Sequence, residues 1–276
     1  MRENLEVLRF AGVSLGGGKT DRTAVAQIEY FATQKRLFLR SLYTNITSID
    51  KKSSDLHLRE ILTENKFKFV AFDVPLQYPI CSTTCEPKCP GIEKCKAPHV
   101  KWMWDYYNKR HKTKRPNKLF TPYTERCAEM YISSELEENF FPGHALGANM
   151  APLAARGCFV ARRLKKVPLI ENYPKLSLWR IGTSLDIPKT YLRFHRHSID
   201  GDEARYYILS RIVELNIAFV YQQDLRAMVE NSNAFDAFIS ALTAYLKFKG
   251  ETEKRPKDFP KAEAWIEFPK QKITWF

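Results

Sequence analysis

Nothing in the chain constrains its fold more than the order of patterns in its first 73 residues. Three runs rich in β-branched and aromatic residues come first: Val7 to Leu15, Thr23 to Phe31 and Arg36 to Tyr43. The links between them are short, and the first is built on Gly16, Gly17 and Gly18, so the spacing predicts a β-meander. Ser53 and Ser54 then precede a predicted helix near Asp55 to Asn65, with Leu58, Ile61 and Leu62 at i, i+3 and i+4. An apolar run from Phe67 to Phe72 follows as a fourth strand and stops at Asp73. A helix between two strands of one sheet is a crossover, so the fourth strand should lie parallel to the first in a mixed α/β sheet.

Regular patterning breaks after Pro75 and resumes near Arg163. At 276 residues the chain has room for a full core, and the reading is one domain, 1–276, with a cysteine-rich basic insertion at 75–163 after the fourth strand. Beyond it come a strand at Val167 to Tyr173, a helix at Asp202 to Leu215 and an apolar helix at Asn233 to Phe248, capped by Asn231 or Ser232 and stopped by Gly250. A last short strand is expected at Ala264 to Phe268.

Lys and Arg outnumber Asp and Glu by 44 to 31, a net charge of +13 that attracts polyanions or anionic lipid surfaces. The amino terminus, MRENLEVLRF, has no long apolar segment, and no uncharged stretch of about 18 apolar residues occurs. No membrane association is expected, and the reading is a cytoplasmic protein. In a reducing compartment six cysteines do not suggest a disulfide framework. Four of them, Cys81, Cys85, Cys89 and Cys95, have the compact spacing C-x3-C-x3-C-x5-C, which suits a structural tetrahedral Zn²⁺ site. The paired C-x2-C knuckles of zinc ribbons are missing, so an iron–sulfur cluster stays open, as do His99 in place of one cysteine and free thiols in a loop. Cys127 and Cys158 read as small buried apolar residues.

The stretch KWMWDYYNKRHKTKRPNK, which begins at Lys101, mixes Trp102, Trp104, Tyr106 and Tyr107 with seven Lys or Arg. Cations neutralise phosphates and rings stack on bases, which makes Lys109, Arg110, Lys112, Lys114 and Arg115 candidate nucleic-acid contacts. The other reading buries the rings as a helix core and leaves Lys109 to Lys118 as a solvated loop. Three acids also stand where an apolar element meets a boundary: Asp73, Glu171 in VPLIENYP and Asp236 in NAFDAFISAL. Buried acids are costly unless paired or bound to a cation, and Mg²⁺ or Mn²⁺ takes such oxygen ligands. Their plainer roles are a cap on the Val74-Pro75 turn, a salt-bridge acid and a first-turn helix acid, respectively.

Taken in order, GVSLGGGKTDRTAVAQIEY, AFDVPLQYP, PYTERCAEMY, LIENYPKLSLWRIG, NAFDAFISALTAYLKFKG and AWIEFP resemble the DUF429 family, described as predicted nucleases with a ribonuclease H-like fold. The resemblance runs from about Phe10 to Pro269 and implies a ribonuclease H-like mixed β-sheet flanked by helices. It also implies a metal-dependent nuclease acting on DNA or RNA, with Asp73, Glu171 and Asp236 as the metal-holding acids. Ser14 stands where that fold usually has an aspartate at the end of the first strand, and a hydroxyl is a far weaker ligand for a hard cation. Asp21, across the glycine turn, could stand in if the turn folds back; its other reading is a strand-entry turn residue. Arg126 and Glu129 match a family segment, which implies a phosphate-binding arginine; on a helix they are also an ordinary i, i+3 ion pair.

The glycine turn itself fails the Walker A spacing, since Val13 occupies the position of the required first glycine. It resembles the first phosphate loop of the actin, hexokinase and heat-shock ATPase group, where Lys19 would assist a phosphate; a plain hairpin needing positive φ is the alternative. The expectation is thus phosphodiester hydrolysis, with a non-catalytic nucleic-acid-binding protein and a nucleotide-dependent phosphotransferase as the other two readings.

Overall fold

The computed structural model describes residues 7–17, 22–110, 119–138 and 140–276. It is a mixed α/β fold with one seven-stranded sheet and, among the described residues, ten helices. The strands are β1 (Val7–Ser14), β2 (Ala24–Phe31), β3 (Arg36–Tyr43), β4 (Phe67–Phe72), β5 (Leu169–Asn172), β6 (Ala218–Phe219) and β7 (Ile266–Glu267), arranged β6-β3-β2-β1-β4-β5-β7. The meander β1-β2-β3 is antiparallel, and β4 returns parallel to β1 after helix α1 (Ser54–Thr63), as the strand and helix spacing predicts. β5 extends the parallel side, and β6 pairs in parallel with β3.

The chain divides into two compact units. The first comprises 1–74, 159–253 and 267–276; the second comprises 75–158 together with 254–266. The patterning break at Pro75 marks where the second begins, but nothing in the sequence pattern signals that 254–266 joins it. The second unit carries α2 (Ile80–Thr84), α3 (Pro98–Arg110) and α4 (Cys127–Glu135), and α5 (Ala151–Ala161) begins in it.

In the first unit the later helices are α6 (Pro174–Ser184), α7 (Lys189–Phe194), α8 (Gly201–Glu214), α9 (Gln222–Glu230) and α10 (Ser232–Lys249). α8 and α10 fall where their apolar spacing puts them; α6, α7, α9 and β6 are additions to the sequence reading. The Asn231 side chain caps α10 by accepting from the Asn233 and Ala234 amides, and Gly250 ends it in the left-handed region at φ 74°. Every residue from Ala234 to Leu246 is buried, so this largely apolar helix is enclosed around its whole girth and packs against the sheet. Its approach depends on Gly12: a Cβ there would lie 2.0 Å from the Ala237 carbonyl oxygen and 2.2 Å from the Ala241 amide nitrogen. Only glycine lets the helix backbone come so near the strand.

Side chains alternate across a strand, and residues level with each other on parallel strands share a face. Gly12 therefore assigns Phe10, Gly12 and Ser14 to the α10 face, and the ring contact between Phe10 and Tyr245 at 5.6 Å agrees. The other face belongs to α1, where Gln27, level with Ala11, donates to the Ile61 carbonyl.

Candidate functional site

Asp73 lies one residue beyond β4, and its carboxylate turns toward β1. The Ser14 hydroxyl donates to Asp73 Oδ2 at 2.7 Å, the Leu15 amide donates to Oδ1 at 2.9 Å, and the Asp73 amide donates to the Val13 carbonyl at 3.1 Å. These bonds hold the acid at the carboxyl edge of two parallel strands, on the face covered by α10. Burial pushes its pKa up to about 6, against the pull of the Leu15 and Ser14 bonds, and the nearby Asp236 charge adds to the rise.

Asp236, in the first turns of α10, is 1% exposed and forms an ion pair with Arg196, which follows α7. The Arg196 side chain taken as a whole is about half exposed, at 52%. Arg196 also acts electrostatically on Asp73, lowering its pKa, so one cation serves both acids. Beside it, His195 is 2% exposed. Its Nδ1–H donates to the Leu192 carbonyl at 2.9 Å, which leaves the Nε2 lone pair facing Asp236 Oδ1 at 3.8 Å. Neither of those two buried atoms has a hydrogen-bond partner among the described residues. Burial lowers the His195 pKa despite Asp236, so the ring is neutral at pH 7. Arg205, at 4% exposure, donates to the His195 carbonyl and to the Val229 carbonyl, and so pins the turn that presents Arg196. Burial also raises the Tyr173 pKa, with Arg196 and Asp236 as its charged neighbours.

The third expected acid is not in this group. β5 places Glu171 level with Phe72, so the residue level with Asp73 is Asn172. Asn172 does face α10, where its amide donates to Ser240 Oγ at 3.2 Å. By alternation Glu171 faces the other side of the sheet, a correction to the triad of Asp73, Glu171 and Asp236. The run LIEN offered two polar residues one apart, and only the strand register distinguishes them. Arg196 and His195 are the residues that sequence reasoning missed. Their one signal is the cluster His195-Arg196-His197 just ahead of α8.

Other candidates stand as follows. Arg126 is 1% exposed at the start of α4. Its Nε donates to Glu129 Oε1 at 2.7 Å and its Nη1 to the Gln77 carbonyl at 3.1 Å, while Glu129 Oε2 accepts from the Arg126 amide at 2.6 Å. A guanidinium so enclosed is structural, which corrects its assignment as a phosphate ligand. Lys19 and Asp21 lie outside the described residues, as do Lys112, Lys114 and Arg115; only the backbone of Arg110 is described. Lys109 is exposed near the end of α3. The aromatic residues of α3 are anchors: Trp102 stacks on Tyr106 at 4.7 Å and meets Phe259 edge-on at 5.2 Å, and Trp104 packs on Phe120 at 5.0 Å. A groove of about 550 Å³ along α3 sets Lys101 and Lys109 against Asp105, Glu135 and Asp258, so it is not a phosphate track.

The cysteines form a loose cluster. Cys81 Sγ lies 3.1 Å from His99 Nε2, and the Cys85 thiol is hydrogen-bonded to Cys89. Burial pushes the Cys81 thiol up to about 11, and Cys85, Cys95 and Cys89 are all near enough to add to the shift. Among the described residues, no three or more His, Cys, Asp or Glu side chains surround a point in a way that could hold a metal ion as they stand. Nor is any described helix long and apolar enough to cross a membrane. No family model, curated protein or solved structure matches the chain.

Proposed function

We propose that the chain is a nucleic-acid-binding protein on a ribonuclease H-like core, of the kind its resemblance to the DUF429 family implies, and that Arg196 closes its acidic centre against catalysis. The meander, the α1 crossover and the parallel β4 and β5 support that fold. The observation that carries the reading is the ion pair of Arg196 with buried Asp236 beside Asp73. The acids that the fold brings together already have their cation. The residues present do not fit a pair of catalytic divalent ions: Ser14 supplies a hydroxyl in place of a carboxylate, Glu171 is on the other face, and Arg196 takes up the remaining charge. A net charge of +13 remains to attract phosphates.

Fluorescence anisotropy with labelled single- and double-stranded DNA and RNA tests this. The expected result is binding whose logarithm falls linearly with the logarithm of salt concentration, without cleavage when Mn²⁺ is added. No salt-sensitive binding to any of the four would end the proposal.

One observation favours hydrolysis as a second reading: a half-buried Asp73 with its pKa raised to about 6 at a strand edge is the sort of perturbed acid that active sites collect. Cleavage in the same assay that disappears in Asp73→Asn would select it. The nucleotide-dependent phosphotransferase rested on Lys19 and its glycine turn, and it gains no support from the described residues.

A further inference from the structure

On the α1 side of the sheet, burial falls off along the strands. The β2 residues on that face are Val25, Gln27, Glu29 and Phe31, level with Val13, Ala11, Arg9 and Val7 of β1. Val25 and Gln27 are buried, whereas Glu29 and Phe31 are only half-buried, so the cover thins beyond the Gln27 bond to α1. β3 carries the open end onward with Arg36 and Phe38, level with Phe31 and Glu29, and β6 adds Phe219 level with Phe38. The rings form one chain. Phe31 meets Phe38 edge-on at 4.9 Å, Phe38 lies 5.7 Å from Phe219, and Phe219 meets Tyr221 edge-on at 5.1 Å. Tyr221 is 57% exposed, and the three phenylalanines are half-buried. Cations frame this chain: the Arg36 guanidinium lies 5.9 Å from the Phe38 ring centre and 5.8 Å from that of Phe219, held by a bond from its Nη2 to Asn216 Oδ1 at 3.2 Å. Arg9 and Arg40 both reach Glu29, at 2.9 and 2.8 Å. Glu29 thus balances only one of three guanidinium charges.

We infer that this open end of the sheet binds single-stranded nucleic acid, with bases stacked on Phe38, Phe219 and Tyr221 and phosphates drawn to Arg36 and Arg40. A row of accessible rings on a sheet face marks an interaction surface, and the excess of positive charge around it fits a polyanion. A ring at the surface can stack only on a base whose face is free; a duplex keeps those faces inside, and a single strand offers them. The surface rests on the nucleic-acid reading and adds to it a place and a strand state. It lies on the α1 side of the sheet, whereas Ser14 and the acids are on the α10 side, so a strand held here has its phosphates away from the acidic centre.

The test measures binding of the full-length protein to DNA and RNA single strands of about 12 nucleotides and to the matching duplexes. Single strands should bind more tightly than duplexes. Tyr221→Ala, at an exposed position outside the strands, should weaken single-strand binding about 5- to 150-fold, the range for one lost base stack, at unchanged melting temperature. Phe38→Leu, which keeps an apolar side chain on the sheet and removes the ring, should act in the same direction. Photocrosslinking with bromouracil-substituted strands needs no variant, and its adducts should fall on the peptides that carry Phe38, Phe219 or Tyr221. Tighter binding of duplexes, single-strand affinity that survives both substitutions, or adducts confined to other segments would each overturn this surface while the nucleic-acid reading stands. Absence of binding to every strand and duplex would overturn both.

Discussion

The acidic centre of the first unit and the thiol cluster of the second both gather reactive side chains, yet they are held in opposite ways. Asp73 and Asp236 are fixed by strand ends, by an enclosed helix and by protein donors that already neutralise them. The four cysteines sit on a segment without a buried residue, and their thiols have chiefly one another and His99 as partners. A site assembled by the core can do without an added ion.

The largest effect should come from removing the close approach on which the first centre depends. Gly12→Ala sets a methyl group against the backbone of α10, which has no room to withdraw, and the expected cost exceeds about 4 kcal/mol. Loss of a cooperative thermal transition is the outcome to look for; a stable variant would mean that α10 does not hold the acids. Next is Arg126→Ala, which strands Glu129 as a buried charge in the second unit. About 3–5 kcal/mol of stability should be lost in urea titration, with no change in nucleic-acid affinity. A selective fall in affinity at unchanged stability would return Arg126 to the binding surface.

The pH dependence separates the two regions more finely. The folded pKa of Asp73 is raised from 3.8 to about 6, so its protonated form is the one the fold prefers. That contribution is fully present below about pH 4 and is lost as pH rises through 6, a swing of about 3 kcal/mol. Asp73→Asn should abolish the swing, so the variant becomes the more stable protein at pH 8 and gains nothing at pH 4. Parallel stability curves for the two proteins would show that Asp73 is solvated. Smallest is Arg196→Gln. Its side chain is about half exposed and the glutamine amide can still donate to the buried Asp236 carboxylate, so the loss of stability should be about 1–2 kcal/mol. The midpoint of the Asp73 swing should also move above 6, because Arg196 lowers that pKa. An unmoved midpoint would remove Arg196 from the centre.

Much of the scaffold was legible because it depends on neighbours in sequence. The alternation in β1 to β3, the i, i+3, i+4 spacing of Leu58, Ile61 and Leu62, and the Asn231 and Gly250 ends of α10 each follow from a few adjacent residues. The short elements α6, α7 and α9 were not, since brief helices held by packing leave little periodicity to read. In the site, Asp73 and Asp236 were recognised by acid chemistry at element boundaries, and Ser14 only through the family resemblance, which implies an aspartate at that position.

What the sequence determined alone was therefore the longer strands and helices, the excess of positive charge and the compact spacing of the four cysteines. Tertiary structure decided which groups meet. Register between β4 and β5 turned Asn172 toward the centre and Glu171 away, the fold of the turn after α7 delivered Arg196, and enclosure took Arg126 out of reach of any ligand. The reason is that periodicity is a property of a short segment, whereas charge pairing and facing depend on distances between segments that only packing sets.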